Sequence, residues 1–290
     1  MPTALAAALL VVLIAGTALT STTSDAQPKD NVVIGVLGGG TRSTFGVYVD
    51  AFRQALRERG YVEARSVRFE ERWAEGRPER LPELAAQLVR LKVDVILATG
   101  GTPSILAAKH ATREIPIVFT TAGDPVGLGL VDSLARPGGN VTGLSMMDQE
   151  LSPKRLELLR QALPNVTRVA LLTNLENPSL VGPTKKMEEG ASSLKIDLRV
   201  FAASMKYRLP TMVSAASPEN EFFLAFGFDR LENWRRAAVY VDKILKGARP
   251  TDLPVEQPMK FRLVVNLKTA KALGITIPPA VLLQADEVIP

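Results

Sequence analysis

Four short stretches carry the residue types that binding or catalysis would need. Gly38-Gly39-Gly40-Thr41 follows the apolar run Val32 to Leu37, and Ser43 comes two residues on. It lacks both the G-x-x-x-x-G-K-[ST] order and the G-x-G-x-x-G spacing, so it reads as a tight turn that lets a ligand approach the backbone rather than as a nucleotide loop. Gly100-Gly101-Thr102-Pro103-Ser104 turns a strand into a helix, with Pro103 at the first helical position and Thr102 as its cap. Free N–H groups there suit a carboxylate or another anion, and an ordinary capped helix reads equally well. Asp124, in Ala122-Gly123-Asp124-Pro125, is placed either to receive an ammonium or sugar hydroxyls or to cap a helix. Asn174 is the matching position in the second half, read as a rim residue or as a turn residue.

What is missing narrows the chemistry. The chain has no cysteine and one histidine, His110, which lies beside Lys109 and reads as a solvated surface residue. Thiolate metal sites, Cys nucleophiles and two-histidine mechanisms are out, and no spacing marks a Ser–Lys or carboxylate pair. Neither a catalytic set, a metal site nor a cofactor site is expected. The residues argue for binding. Basic and acidic residues, 35 and 30, are interspersed and aromatics are only 6%, so no nucleic-acid footprint is expected.

The elements that would position these stretches alternate. Continuous apolar runs at Val32–Leu37, Val93–Ala98, Pro116–Thr121 and Val141–Leu144 read as strands buried on both faces, and Val67 to Trp73 as one near the sheet edge. Helical spacing separates them, as in Phe45, Val49, Phe52 and Leu56. The pattern restarts after Ser145, with strands at Val169–Thr173, Ile196–Ala202, Leu209–Val213, Phe222–Phe226 and Phe261–Val265. Helices are expected at Leu151–Leu163, Pro178–Leu194, Leu231–Leu245 and Leu267–Leu273. Two α/β halves of 290 residues in all imply a cleft between them, with the loops at the strands' carboxyl ends on its rim.

Ahead of this lies the apolar run Ala4 to Leu19, too short at sixteen residues for the ~20 of a membrane span. Ser24-Asp25-Ala26 offers the small residues a signal peptidase reads, although no Lys or Arg precedes the run. Residues 1–26 are therefore expected to be a signal peptide, cleaved before Gln27. An uncleaved anchor is the alternative.

Two long stretches carry a family resemblance. One runs from Ile115-Pro116-Ile117-Val118-Phe119 through Gly123-Asp124-Pro125-Val126-Gly127 to Arg136-Pro137-Gly138-Gly139-Asn140-Val141-Thr142-Gly143. The other runs from Ala237-Ala238-Val239-Tyr240-Val241-Asp242-Lys243 through Leu253-Pro254-Val255-Glu256-Gln257-Pro258 to Asn266-Leu267-Lys268-Thr269-Ala270-Lys271. Together they resemble the substrate-binding proteins of ABC importers, in the family that includes tryptophan- and aromatic-amino-acid-binding members. The resemblance implies two Rossmann-like lobes with parallel sheets joined by a hinge, of the type I periplasmic binding protein kind.

It also implies a periplasmic monomer that closes on a small polar ligand, an amino acid or related carboxylate, and docks on an ABC permease. The alternatives are a ligand sensor for a membrane receptor and a degenerate member that no longer binds. Expected ligand contacts are Gly101 and Thr102 for an anion and Asp124 for a cationic group, followed by Thr41, Ser43 and Asn174. The expected lobes are 27–142 with 257–290 and 143–256, with the hinge near Asn140 to Gly143 and Leu253 to Pro258.

One departure stands out. Family members carry a further βα segment between stretches like Val200-Phe201-Ala202-Ala203-Ser204 and Lys206-Tyr207-Arg208-Leu209-Pro210. Here Ser204 meets Met205 and Lys206 directly. About one βα unit is expected to be missing from the second lobe, which exposes backbone or forces the sheet edge to pair anew.

Overall fold

The computed structural model describes residues 31–173, 180–202, 211–214 and 222–290. All secondary structure and core clusters described here lie within Val32–Ile289, so the chain from Gln27 contains the whole described fold.

The first lobe is a five-stranded parallel sheet of order β2-β1-β3-β4-β5. Its strands are β1 (Val32–Gly38), β2 (Val67–Trp73), β3 (Val95–Thr99), β4 (Ile117–Ala122) and β5 (Val141–Ser145). Side chains alternate between faces along each strand. Val32, Ile34, Val36, Val95, Leu97 and Val118 enter one core cluster, and Leu37, Ile96, Ala98, Ile117 and Phe119 enter another. Both faces are covered, which is why these strands read as unbroken apolar runs. Helix α1 (Arg42–Arg57) covers the first face, and α2 (Leu81–Arg90) with α3 (Thr102–Ala111) covers the second.

The chain leaves the lobe through Met146 and Met147, the latter at φ 52°, and opens α4 (Asp148–Ala162). The second lobe adds β6 (Arg168–Thr173), α5 (Val181–Ser193), β7 (Asp197–Ala202), β8 (Met212–Val213) and β9 (Leu224–Phe228). Then comes α6 (Arg230–Leu245), followed by β10 (Phe261–Asn266), α7 (Leu267–Ala272), α8 (Pro279–Leu282) and β11 (Glu287–Ile289).

Packing corrects the expected lobe boundaries. The sequence places 143–256 in the second lobe and 257–290 in the first, yet Trp234, Ala237, Ala238 and Val241 of α6 share a core with β1 and α1. The tail does the reverse. Leu263 and Val265 of β10, with Ala270, Ile277 and Val281, pack on Phe223, Leu224 and Leu159 of the second lobe. A helical stripe announces that one face is buried, but not against which sheet. Small Ala237 and Ala238 let α6 lie close on the first lobe, and β10 pairs antiparallel with β9. Among the described residues the chain thus crosses between lobes three times, at 145–148, 228–230 and 256–261.

The second lobe is divided. β6 and β7 form a two-stranded parallel ribbon, while β8, β9, β10 and β11 form a separate sheet of order β11-β10-β9-β8. Among the described residues no strand joins β6 to β8. That gap adjoins the place where a βα unit is expected to be missing. Leu172 and Phe201, partners across the ribbon, are 45% and 49% exposed, although an apolar strand of this kind is normally covered on both faces. Buried Arg155 on α4 bonds Asp148 at 2.6 Å and donates through Nε to the Phe226 carbonyl at 2.9 Å, pinning α4 to β9.

Candidate ligand-binding cleft

Loops at the carboxyl ends of the first lobe's strands form its rim, and two of them touch. Gly39 N–H donates to the Thr99 carbonyl at 3.0 Å. A Cβ on Gly39 would lie 2.8 Å from the Gly100 carbonyl oxygen, and one on Gly100 2.7 Å from the Gly39 nitrogen. The sequence reads the Gly38–Gly40 turn as room for a ligand. In the structure the room is taken up by the neighbouring loop, and the glycines bring the starts of α1 and α3 side by side.

Thr41 caps α1, its Oγ1 accepting from Thr44 N–H at 3.1 Å and sharing hydrogen bonds of 2.8 Å with the Ser43 and Thr44 hydroxyls. Ser43 is exposed beside it. At α3 the cap is Gly101 rather than Thr102, because its φ of 108° favours glycine. Thr102 is then the first helical residue. It is 1% exposed, and its Oγ1 has no hydrogen-bond partner among the described residues. Behind it, Ser104 Oγ donates to the Thr99 and Gly101 carbonyls, and Thr120 Oγ1 donates to Thr99 Oγ1 at 3.0 Å. A buried hydroxyl left unmatched beside free helical N–H groups favours an anionic or carbonyl acceptor.

Asp124 serves structure on both sides. Its Oδ1 accepts from Gly127 N–H at 2.8 Å, closing the turn after β4, and its Oδ2 accepts from Gln149 Nε2 at 3.2 Å. Gln149 belongs to α4, so this bond ties the first lobe's rim to the first turn of the second lobe's first helix. Asn174 lies outside the described residues. Thr41, Ser43, Gly101 and Thr102 are thus gathered on two touching loops, and Asp124 stands at the lobe junction.

An aromatic cluster flanks this rim, and the sequence reading missed it. Phe45 stacks on Trp73 at 5.8 Å, Tyr48 stacks on Trp234 at 6.0 Å, and Phe45 and Trp234 are 6.2 Å apart. Phe45 and Trp73 are only half-buried. Their rings sit where a Cβ on Gly40 or Gly38 would be, 2.6 Å and 2.0 Å away respectively. Glu71 holds Trp73 Nε1 at 2.8 Å and is itself paired with Arg42 and Arg53. Rings facing glycines across a turn leave no periodic trace, so the one signal in the sequence was a tryptophan ending an edge strand.

The lobe junction is bound tightly on one side. Glu256 exchanges backbone bonds with β5, from Ser145 N–H at 2.8 Å and to the Gly143 carbonyl at 3.0 Å. Its carboxylate takes two bonds from Arg236, at 2.6 and 2.7 Å. That hydrogen bonding holds the Glu256 carboxyl below the ordinary glutamate value. Thr142 Oγ1 bonds the Leu253 carbonyl at 2.6 Å, and Tyr240 OH bonds that of Pro254. Burial, more than the nearby Glu256 charge, pushes the Tyr240 phenol up. Leu253–Glu256 therefore moves with the first lobe, and the free crossing starts after it, with Met259 94% exposed.

Comparison with known proteins agrees with this architecture. The family described as ABC transporter substrate binding protein matches residues 43–217 and 191–289. The two matches overlap over 191–217, around the junction at Ser204. A tyrosine-binding protein of Clostridioides difficile is 28% identical over 263 residues, covering 77% of this chain and 75% of its own. A conserved domain protein from Vibrio cholerae superposes with a TM-score of 0.80 at 27% identity, covering 90% of this chain and 99% of that one. The ABC domain from Streptococcus pneumonia in complex with L-Trp superposes with a TM-score of 0.81 at 24% identity, a likeness of fold that covers 90% and 100%. The chain has the type I periplasmic binding protein fold.

Proposed function

Because the chain belongs to the family of ABC transporter substrate-binding proteins, we propose that it is the exported binding component of an importer. It takes an amino acid, of aromatic class, into the cleft between its lobes and presents it to a membrane permease. The aromatic class rests on the tyrosine-binding relative, and on the half-buried rings of Phe45 and Trp73 beside the rim. The observation that carries the site is Thr102, whose buried hydroxyl lacks a partner at the start of α3. There the ligand carboxylate accepts from Thr102 and from the free N–H groups around Gly101. Thr41 and Ser43 supply hydroxyls from the adjoining loop.

Asp124 receives the ammonium by exchanging it for the Gln149 bond, which couples occupancy to the contact between lobes. Asn174, outside the described residues, is the further contact expected from the sequence. Closure is a shift in population that the ligand drives by touching both lobes. In this reading residues 1–26 are removed on export and the protein works in the periplasm as a monomer.

The divided second lobe favours a second reading, a chain that folds but has lost the facing half of its cleft. Thermal unfolding of the chain from Gln27 with tyrosine, tryptophan and phenylalanine, against sugars and simple carboxylates, decides between them. A ligand at about 100 times its Kd adds about 2.7 kcal/mol of stability. A rise in midpoint with the aromatic amino acids supports binding. A cooperative transition that no compound moves supports the second reading and refutes the first.

A further inference from the structure

Topology gathers cations at the end of the first lobe opposite the rim. Helices that return between parallel strands run antiparallel to them, so helix C-termini and strand N-termini share one pole. Arg57 ends α1, Arg65 precedes β2, Arg90 ends α2, Lys92 precedes β3, Arg113 precedes β4 and Arg136 precedes β5. All six are exposed. Among the described residues none of them is in an ion pair, whereas Arg42, Arg53, Arg68, Arg72 and Arg80 of the same lobe are paired with Asp50, Glu63, Glu70, Glu71 and Glu75. The exposed acids of this pole are Glu58, Glu63, Glu114 and Asp132, fewer than the cations, and Glu63 is already paired with Arg53.

Two adjoining crevices join the cations of α2 and α3. One, between those helices, is lined by Val89, Arg90 and Ala107, and a second of about 470 Å³ is lined by Arg113 and Asp132; His110 lines both. Leu91 stands 41% exposed between Arg90 and Lys92, an apolar tip flanked by two charges. The first described residue, Asn31, is also at this pole, since Val32 N–H donates to the Ser66 carbonyl ahead of β2.

We infer that this pole docks on an anionic phospholipid surface, a role separate from binding a ligand in the cleft. Unpaired exposed cations gain from a negative surface what paired ones cannot, and an exposed leucine among them suits the headgroup boundary. Nucleic acid fits less well, because among the described residues the pole exposes no Phe, Tyr or Trp for bases to stack on.

The test is cosedimentation of the chain from Gln27 with vesicles of phosphatidylcholine alone or mixed with phosphatidylglycerol. Binding is expected only with the anionic lipid, and to weaken as salt rises towards about 0.5 M. Each basic residue near such a surface is worth roughly fivefold, so Arg90→Glu/Lys92→Glu/Arg113→Glu loses on the order of a hundredfold or more. The pair Lys268→Glu/Lys271→Glu on α7 is expected to bind like the parent. Should the triple variant lose cooperative unfolding, glutamine at the same three positions replaces it. Absence of binding, equal binding to neutral vesicles, or equal loss in the α7 variant would overturn the inference. Amino-acid binding by the triple variant is expected to be unchanged, so a failure here is distinguishable from a failure of the cleft reading.

Discussion

Replacing Thr102 by valine tests the cleft from two directions at once. Valine keeps the branched shape and removes only the hydroxyl, so packing at this 1% exposed position is conserved. In the free protein that hydroxyl has no hydrogen-bond partner among the described residues. An unsatisfied buried hydroxyl costs about 1–3 kcal/mol, so Thr102→Val should stabilise the unliganded protein by up to that amount. In the complex the same hydroxyl donates to a carboxylate, and a hydrogen bond to a charged group is worth about 1.5–3 kcal/mol. The variant should therefore bind tyrosine or tryptophan roughly ten- to a hundredfold more weakly. Denaturant unfolding without ligand measures the first effect, and titration calorimetry the second. A loss of unliganded stability above about 1 kcal/mol would show that the hydroxyl is satisfied within the protein. Unchanged affinity would remove Thr102 from the site. Either result refutes the reasoning.

Other consequences are equally open to measurement. Trp234→Ala should cost about 3–5 kcal/mol and raise hydrogen exchange in α1, showing that α6 completes the first lobe. Arg155→Met leaves Asp148 buried and unpaired, at about 3–5 kcal/mol by chemical denaturation; adding Asp148→Asn should recover much of it. Glu256 has a lowered carboxyl pKa, so the unfolded chain takes up its proton first as pH falls. The stability this residue contributes is present above the ordinary glutamate range and is lost as pH drops through the folded value. The acid limb of the unfolding midpoint should therefore be shallower in Glu256→Gln than in the parent.

Much of the first lobe was legible because its strands are buried on both faces. Short, continuous apolar runs such as Val32–Leu37 and Val93–Ala98, each closed by glycine or a Gly-rich turn, suit a strand covered on both sides, and each proved to be a strand of the parallel sheet. The resemblance leads to the expectation that a βα unit is missing after Ser204, and among the described residues the strands of the second lobe fall into two separate sheets. Lobe membership was not legible. The stripe of Trp234, Ala237, Ala238 and Val241 says that α6 buries a face, but its partner α1 lies more than half the chain away. Short elements such as α8 and β11 hold too few residues to show a period. At the site, Thr41, Ser43, Gly101 and Thr102 fall on two loops at the strands' carboxyl ends, where the alternation of strand and helix puts them, while the cap of α3 moves from Thr102 to Gly101. Whether a loop's glycines admit a ligand or another loop depends on contacts such as Gly39 with Gly100, which spacing along one strand does not encode.

The three crossings also set an order of assembly. Phe52, Leu56 and Tyr61 share their core with Trp234, Tyr240 and Ile244, so the first lobe cannot close its hydrophobic interior until α6 has arrived. By then the second lobe's strands up to β9 have already been made. Contacts this distant in sequence slow folding, because the intervening chain must be closed into a loop before burial rewards it. During synthesis, then, the half of the protein made first is finished late, and a large apolar face of α1 and β1 stays open in the interval. Such a chain remains threadable for longer than its stable final form suggests, and it depends in that interval on whatever shields exposed apolar surface in the cell.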